Sequence, residues 1–331
     1  MTTLTSPHDL LSAIPFVVGF KPEESIILIS VKADSVSMAM RIDFPISLDD
    51  GQIDLLMSHL KKDRAEAVLA VFYLPHHSSE ASLVIDALSG AIENHGMQLR
   101  ESLVVSNNRW RSLLCSDESC CPEEGSPLPD IHHSRIAVEQ VALGKPLPFE
   151  NLDELVASLS PLPEDVELRD QIALIPRIDY ETDPRPLQRQ GAEAVIDFMA
   201  DFQADGLCRD KKLIALVLVR LLDLQVRDFA LGSVTEETMT HYFNAWRWLM
   251  RIAPAGYVAP VATLFAAVAY ERGDGALAQR ALDRVEADEL PSELEFVASL
   301  DVKRGSGKTP VLEATEEQLK KFEEANRPRN P

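Results

Sequence analysis

Two short extended segments follow one another between residues 25 and 44. Ser25 to Val31 (SIILISV) is an apolar run rich in β-branched residues, and Val36 to Phe44 alternates apolar and polar positions at period two. The four-residue stretch Lys32 to Ser35 between them reads as a turn, which predicts a β-hairpin with one buried face. Beyond it the pattern predicts a helix over Ile53–Leu60, a strand buried on both faces over Ala67–Leu74, a helix over Ala81–Asn94 and a strand over Leu99–Val105. Strands alternating with helices of this length predict an α/β N-terminal domain over residues 1–150, with a mixed sheet built from the β-hairpin followed by βαβ units.

The periodicity changes after Asn151. Residues 151–186 read as a Pro-rich link with a short helix, carrying Pro161, Pro163, Pro184 and Pro186, and residues 187–303 read as a helical-hairpin domain. Ser233 to Glu236 (SVTE) has the form of a capping box. On the helix expected after it, Met239, Tyr242, Phe243, Trp246, Leu249 and Met250 share one face, a stripe better suited to packing than to lining a ligand groove. Val258, Val261, Phe265 and Val268 form a second stripe, and Leu277, Ala278, Ala281, Leu282 and Val285 a third. Gly273-Asp-Gly275 separates these two, which predicts an αα-hairpin and an α-helical, solenoid-like C-terminal domain. Residues 304–331 are polar and read as a flexible tail.

Charge narrows the choice of partners. With 53 acidic and 32 basic side chains the chain carries a formal net charge of -21, and phosphate backbones are bound by Lys and Arg that displace counterions. No nucleic acid and no membrane is therefore expected as a partner. The apolar stretch Leu213–Val226 contains Arg220 and Asp223 and falls short of the ~20 apolar residues a bilayer requires, so it reads as a buried helix. The first residues lack the basic region of a secretory leader, and 4 cysteines in a chain of 331 residues do not make a disulfide scaffold; a cytoplasmic location is expected.

Two places carry candidate chemistry. The loop 115–129 (CSDESCCPEEGSPLP) holds Cys115, Cys120 and Cys121, which are candidate zinc ligands, with His132 or His133 further along as an additional donor. The spacing is not a standard knuckle. A disulfide from Cys115 to Cys120 or Cys121 is an alternative, although Asp117, Glu118, Glu123 and Glu124 would make the thiols less acidic, and an ordered loop without cofactor is the plain reading. The second place follows from topology, since ligands of open α/β sheets sit beyond the carboxyl ends of strands. There the candidates are His76, His77, Ser78, Ser79, Asn107, Arg109 and Trp110, suited to an anionic small molecule held by a helix N-terminus and positive charge.

Other signals weaken on inspection. Arg304 to Thr309 (RGSGKT) resembles the end of a phosphate-binding loop, but Val302 stands where the first glycine belongs, so it reads as a linker. Arg220, Asp223 and Arg227 fall at helical spacing and are expected to form a structural ion-pair network. Cys208 reads as a packing residue, and no nucleophile with an adjacent base can be placed.

Several stretches carry a resemblance. Ser6 to Ser25 (SPHDLLSAIPFVVGFKPEES), Arg109 to Cys115 (RWRSLLC), Cys120 to Gly125 (CCPEEG), Val226 to Asp228 (VRD) and Ala269 to Asp283 (AYERGDGALAQRALD) resemble an actinobacterial family catalogued as domain of unknown function 4192. The resemblance implies an actinobacterial cytoplasmic protein and carries no activity with it. The leading expectation is a non-catalytic interaction or regulatory module that meets an unknown protein partner through the helical domain. An enzyme or small-ligand sensor working at the strand-end loops is the alternative, and a zinc-containing scaffold the second alternative.

Overall fold

The computed structural model describes residues 3–76 and 81–288. His77, Ser78 and Ser79, the last part of the expected helical domain (289–303), the RGSGKT linker and the polar tail 304–331 lie outside the described residues. The chain divides into two compact units with the boundary between Leu155 and Val156. The first is a mixed sheet with helices; the second is helical.

In the first unit, α1 (Pro7–Val18) starts where Ser6 accepts a hydrogen bond from the Asp9 amide and Pro7 stands in the first turn. It ends at Gly19, whose φ of 86° is the left-handed conformation that glycine adopts without strain. Pro15 is accommodated inside it. β1 (Ser25–Lys32) and β2 (Ser35–Asp43) form the expected hairpin, closed by Lys32 against Ser35, with Ala33 (φ 46°) and Asp34 (φ 60°) both left-handed. Two left-handed residues are what a two-residue turn needs to match strand twist. After α2 (Asp50–Lys62), capped by the reciprocal Asp49–Gln52 box, β3 (Ala67–Tyr73) pairs antiparallel to β1. α3 (Ala81–Asn94) then carries the chain across to β4 (Gln98–Ser106), parallel to β3. A tight turn at Asn107 and Asn108 leads into β5 (Arg109–Ser112), and the two-residue β6 (Ser126–Pro127) completes the order β2-β1-β3-β4-β5-β6. The sheet therefore holds one βαβ crossover among otherwise antiparallel pairs.

One sheet face is sealed by a cluster that joins Ile26, Leu28, Val68, Ala70 and Phe72 to Leu56, Met57 and Leu60 of α2 and Val84, Leu88 and Ile92 of α3. Residues of the opposite parity, Ile27, Ile29, Val71 and Leu103, are buried as well, so the central strands are covered on both faces. Phe16 of α1 packs with Ile131 and with Ile136 of α4 (Arg135–Ala142). The short helix α5 (Leu152–Ala157) contains the boundary between the units.

The helical unit runs through α6 (Val166–Ala173), α7 (Arg185–Asp205), α8 (Lys211–Arg220), α9 (Leu224–Gly232), α10 (Met239–Ile252), α11 (Val258–Glu271) and α12 (Gly275–Asp288). The single buried helix expected over Leu213–Val226 is two helices. Asp223 accepts the Val226 amide as the N-cap of α9, which breaks the run. The capping box expected at Ser233 does not form either: the Ser233 hydroxyl donates back to Phe229 O at the end of α9, and α10 begins at Met239. The aromatic stripe of α10 is spent on packing, with Trp246 against Phe198 at 5.9 Å between ring centres and Phe243 against Phe265 at 5.0 Å. α11 is buried at every position from Val258 to Ala269. Among the described residues no helix is long and apolar enough to cross a membrane.

Candidate functional site

The carboxyl ends of β3 and β4, the parallel strand pair of the sheet, open into a pocket of about 480 Å³. Tyr73, Leu74 and His76 come from the end of β3, and Val105, Ser106, Asn107 and Asn108 from the end of β4 and its turn. Leu11 and Pro15 of α1 supply an apolar wall; Lys21, Glu23 and Glu24 before β1 and Pro129, Asp130 and Ile131 after β6 complete the rim. The walls are held by main-chain bonds: Leu74 N donates to Val105 O at 2.9 Å, and Leu128 N to Asn108 O at 2.9 Å.

Three rim residues have left-handed backbones without being glycine: Glu24 (φ 40°), Asn107 (φ 52°) and Asn108 (φ 59°). Asparagine takes this conformation at little cost in a hairpin turn, whereas for Glu24 it is strain that the surroundings impose. Phe44 N donates to Glu24 O at 2.7 Å and fixes it.

Charge in the pocket is predominantly negative among the described residues. Lys21 is bound to Glu150, and this hydrogen bond holds the Glu150 carboxyl below its ordinary range. The Asp130 carboxyl is likewise held low, chiefly by its hydrogen bond with His133 at 2.7 Å. Among the described residues neither Glu23 nor Glu24 is in an ion pair, and burial pushes the Tyr73 phenol well up, so this lining residue stays neutral.

Of the residues singled out in the strand-end loops, His76 and Asn107 meet in this pocket. Arg109 turns away from it. Its guanidinium donates to Glu124 O at 2.8 Å and to Gly125 O at 2.6 Å, tying β5 to the segment ahead of β6. Trp110 is buried, with its ring edge-on to His8 at 5.4 Å. Lys21, Glu23, Glu24 and Asp130 were not expected. The first three lie in the FKPEES segment and Asp130 follows β6, and the place of both beside the strand ends is a matter of tertiary structure.

Cys115, Cys120 and Cys121 do come together, with the three sulfurs all within 4.8 Å of one another and none in a disulfide. The turn that gathers them is built by Asp117: its carbonyl accepts the amides of Cys120 (3.1 Å) and Cys121 (2.8 Å), and its carboxylate takes the Ser119 amide and hydroxyl. Gly125 closes the loop at φ 75°, where an added Cβ would sit 2.9 Å from Trp110 O. His132 and His133 are not in this cluster; they pair with Glu150 and Asp130. Cys208 is buried in the helical unit beside Asp201 and Asp210, and burial pushes its thiol up to about 11.

The architecture is thus an α/β unit with a strand-end pocket and a sulfur-lined loop, followed by a helical unit. A family model, Domain of unknown function (DUF4192), matches residues 7–291, and the chain belongs to that family. No curated protein and no solved structure matches it.

Proposed function

We propose that the α/β unit binds a small polar molecule in the pocket beyond β3 and β4. The observation that carries this is the coincidence of a pocket of about 480 Å³ with the carboxyl ends of the parallel pair, where loops of an open sheet converge. The volume suits a small metabolite. The charge of the lining favours a neutral or amine-bearing ligand over the anionic one the sequence suggested, because Lys21 is bound to Glu150 while Glu23 and Glu24 bring uncompensated negative charge. Asn107 and the Tyr73 hydroxyl supply neutral hydrogen-bonding groups, and Leu11 and Pro15 an apolar wall.

A cytoplasmic setting accords with the 4 cysteines of the chain, too few for a disulfide scaffold. The succession of packed helices α10, α11 and α12 supports reading the second unit as a solenoid-like stack.

The test is a thermal-shift screen of the full chain against amines, neutral polar metabolites and carboxylates, followed by calorimetry on any hit. A ligand that stabilises wild type and loses at least tenfold in affinity with Glu23→Gln or His76→Ala supports the reading. Selective binding of carboxylates would overturn the charge argument, and binding insensitive to both substitutions would overturn the pocket.

A further inference from the structure

We propose that Cys115, Cys120 and Cys121 form a three-thiolate site for a soft divalent cation, zinc in the first instance, with a water molecule completing the tetrahedron. In a zinc site with bonds of about 2.3 Å the sulfurs stand about 3.8 Å apart. The present separations, all within 4.8 Å, need only small side-chain rotations to reach that.

Hydrophobic packing does not explain why the sulfurs meet. The loop from Leu113 to Gly125 has almost no apolar side chains apart from Leu113 and Leu114, which are both exposed, and Cys120 is exposed as well. What holds the turn is polar: the Asp117 carbonyl orders two consecutive cysteine amides, and Arg109 and Gly125 anchor the far end to β5. The result is a rigid turn whose convergent chemistry is thiol.

The electrostatics fit a cation and fit poorly with a reactive thiol. Asp117, Glu118, Glu123 and Glu124 add negative charge, which disfavours thiolates alone but attracts a divalent ion. Binding then exchanges three S–H protons for three metal–sulfur bonds, with no change of oxidation state, and affinity rises with pH as those protons are released. Sulfur donors select thiophilic ions over magnesium or calcium.

The experiment loads reduced full-length protein with cobalt(II) and follows the thiolate-to-metal charge-transfer bands, with elemental analysis for zinc in parallel. One metal per chain is expected in wild type and in Cys208→Ala, and loss of both the bands and the metal in Cys115→Ser and in Cys120→Ser, each checked for native circular dichroism. Metal retained by both serine variants would overturn the assignment. So would a metal-free wild type with all thiols open to titration, or a disulfide within the loop of protein purified under reducing conditions.

Discussion

The hydroxyl of Tyr180 donates to Asp223 Oδ2 across 2.8 Å, joining the segment before α7 to the cap of α9. Gln188 of α7 donates to the same oxygen at 3.1 Å, and Oδ1 accepts the Val226 amide. Asp223 is buried, and its charge faces Arg220, which donates to Pro176 O and Gln190 Oε1 and is itself 1% exposed.

Removing one partner from a buried charged network leaves the others uncompensated, at a typical cost of about 3–5 kcal/mol. Asp223→Ala should therefore destabilise the helical unit by that order, with the lost cap included. Tyr180→Phe removes one bond and leaves the two others to Asp223 in place, so it should cost about 1 kcal/mol. Urea denaturation followed by helical circular dichroism separates the two. Equal effects would show that Asp223 acts as a cap alone.

The same hydroxyl sets an alkaline limit. Tyr180 is 66% exposed as a residue, but partial burial at its hydroxyl, then the hydrogen bond and negative charge of Asp223, push the phenol up from 10.0 to about 12. A raised value means that the unfolded chain loses its proton first. The contribution is therefore complete below pH 10.0 and is lost as pH climbs to about 12. Burial raises the Tyr73 and Tyr242 phenols too, so the decline is shared. Stability measured across that window should fall less steeply in Tyr180→Phe than in wild type, and phenolate absorbance should show late-titrating tyrosines that become ordinary in urea.

At Gly191, α7 meets Arg220 of α8 and Val226 of α9 closely. A Cβ there would lie 2.8 Å from Val226 Cγ2 and 2.9 Å from Arg220 Cβ. In an exposed helix Gly→Ala would gain about 1 kcal/mol, but overpacking typically costs about 1–3 kcal/mol. Both blocking atoms are near their backbones and cannot swing away, so Gly191→Ala should be net destabilising, with a lower urea midpoint as the readout.

Ala33 offers the opposite case. It is exposed at the tip of the β1–β2 hairpin with a φ of 46°, a conformation that costs an ordinary residue roughly 1–2 kcal/mol and asparagine less. Ala33→Asn should stabilise the protein by about 0.5–1 kcal/mol. An unchanged or lower urea midpoint would count against the turn geometry.

How far the sequence could be read depended on whether a signal was local. The hairpin turn at Lys32–Ser35, the buried runs of β1 and β3 and the stripes of α10 to α12 were legible because periodicity and turn chemistry act over a few residues. α1 was obscured by Pro15, although Ser6 and Pro7 announce its start. β5 was missed because four residues are too short to show a period, yet the Asn107-Asn108 pair was a turn signal of its own. At Asp223 the apolar pattern ran on while the backbone stopped, since a single side-chain acceptor decides where a helix breaks.

The sequence by itself determined the change from α/β to all-helical structure near residue 150, and it placed three cysteines in one loop, because composition and period are properties of contiguous residues. Tertiary structure alone decided that Arg109 serves Gly125 O and not the pocket, that Glu23, Glu24 and Asp130 join His76 and Asn107 around it, and that the three sulfurs converge. Those outcomes depend on the sheet order, which brings Glu23 and Asp130 to one pocket from 107 positions apart, and on turn geometry, which decides whether near neighbours such as Cys115 and Cys121 meet. Burial and hydrogen-bond satisfaction act through space, and the pattern of apolar and polar positions along a window does not record them.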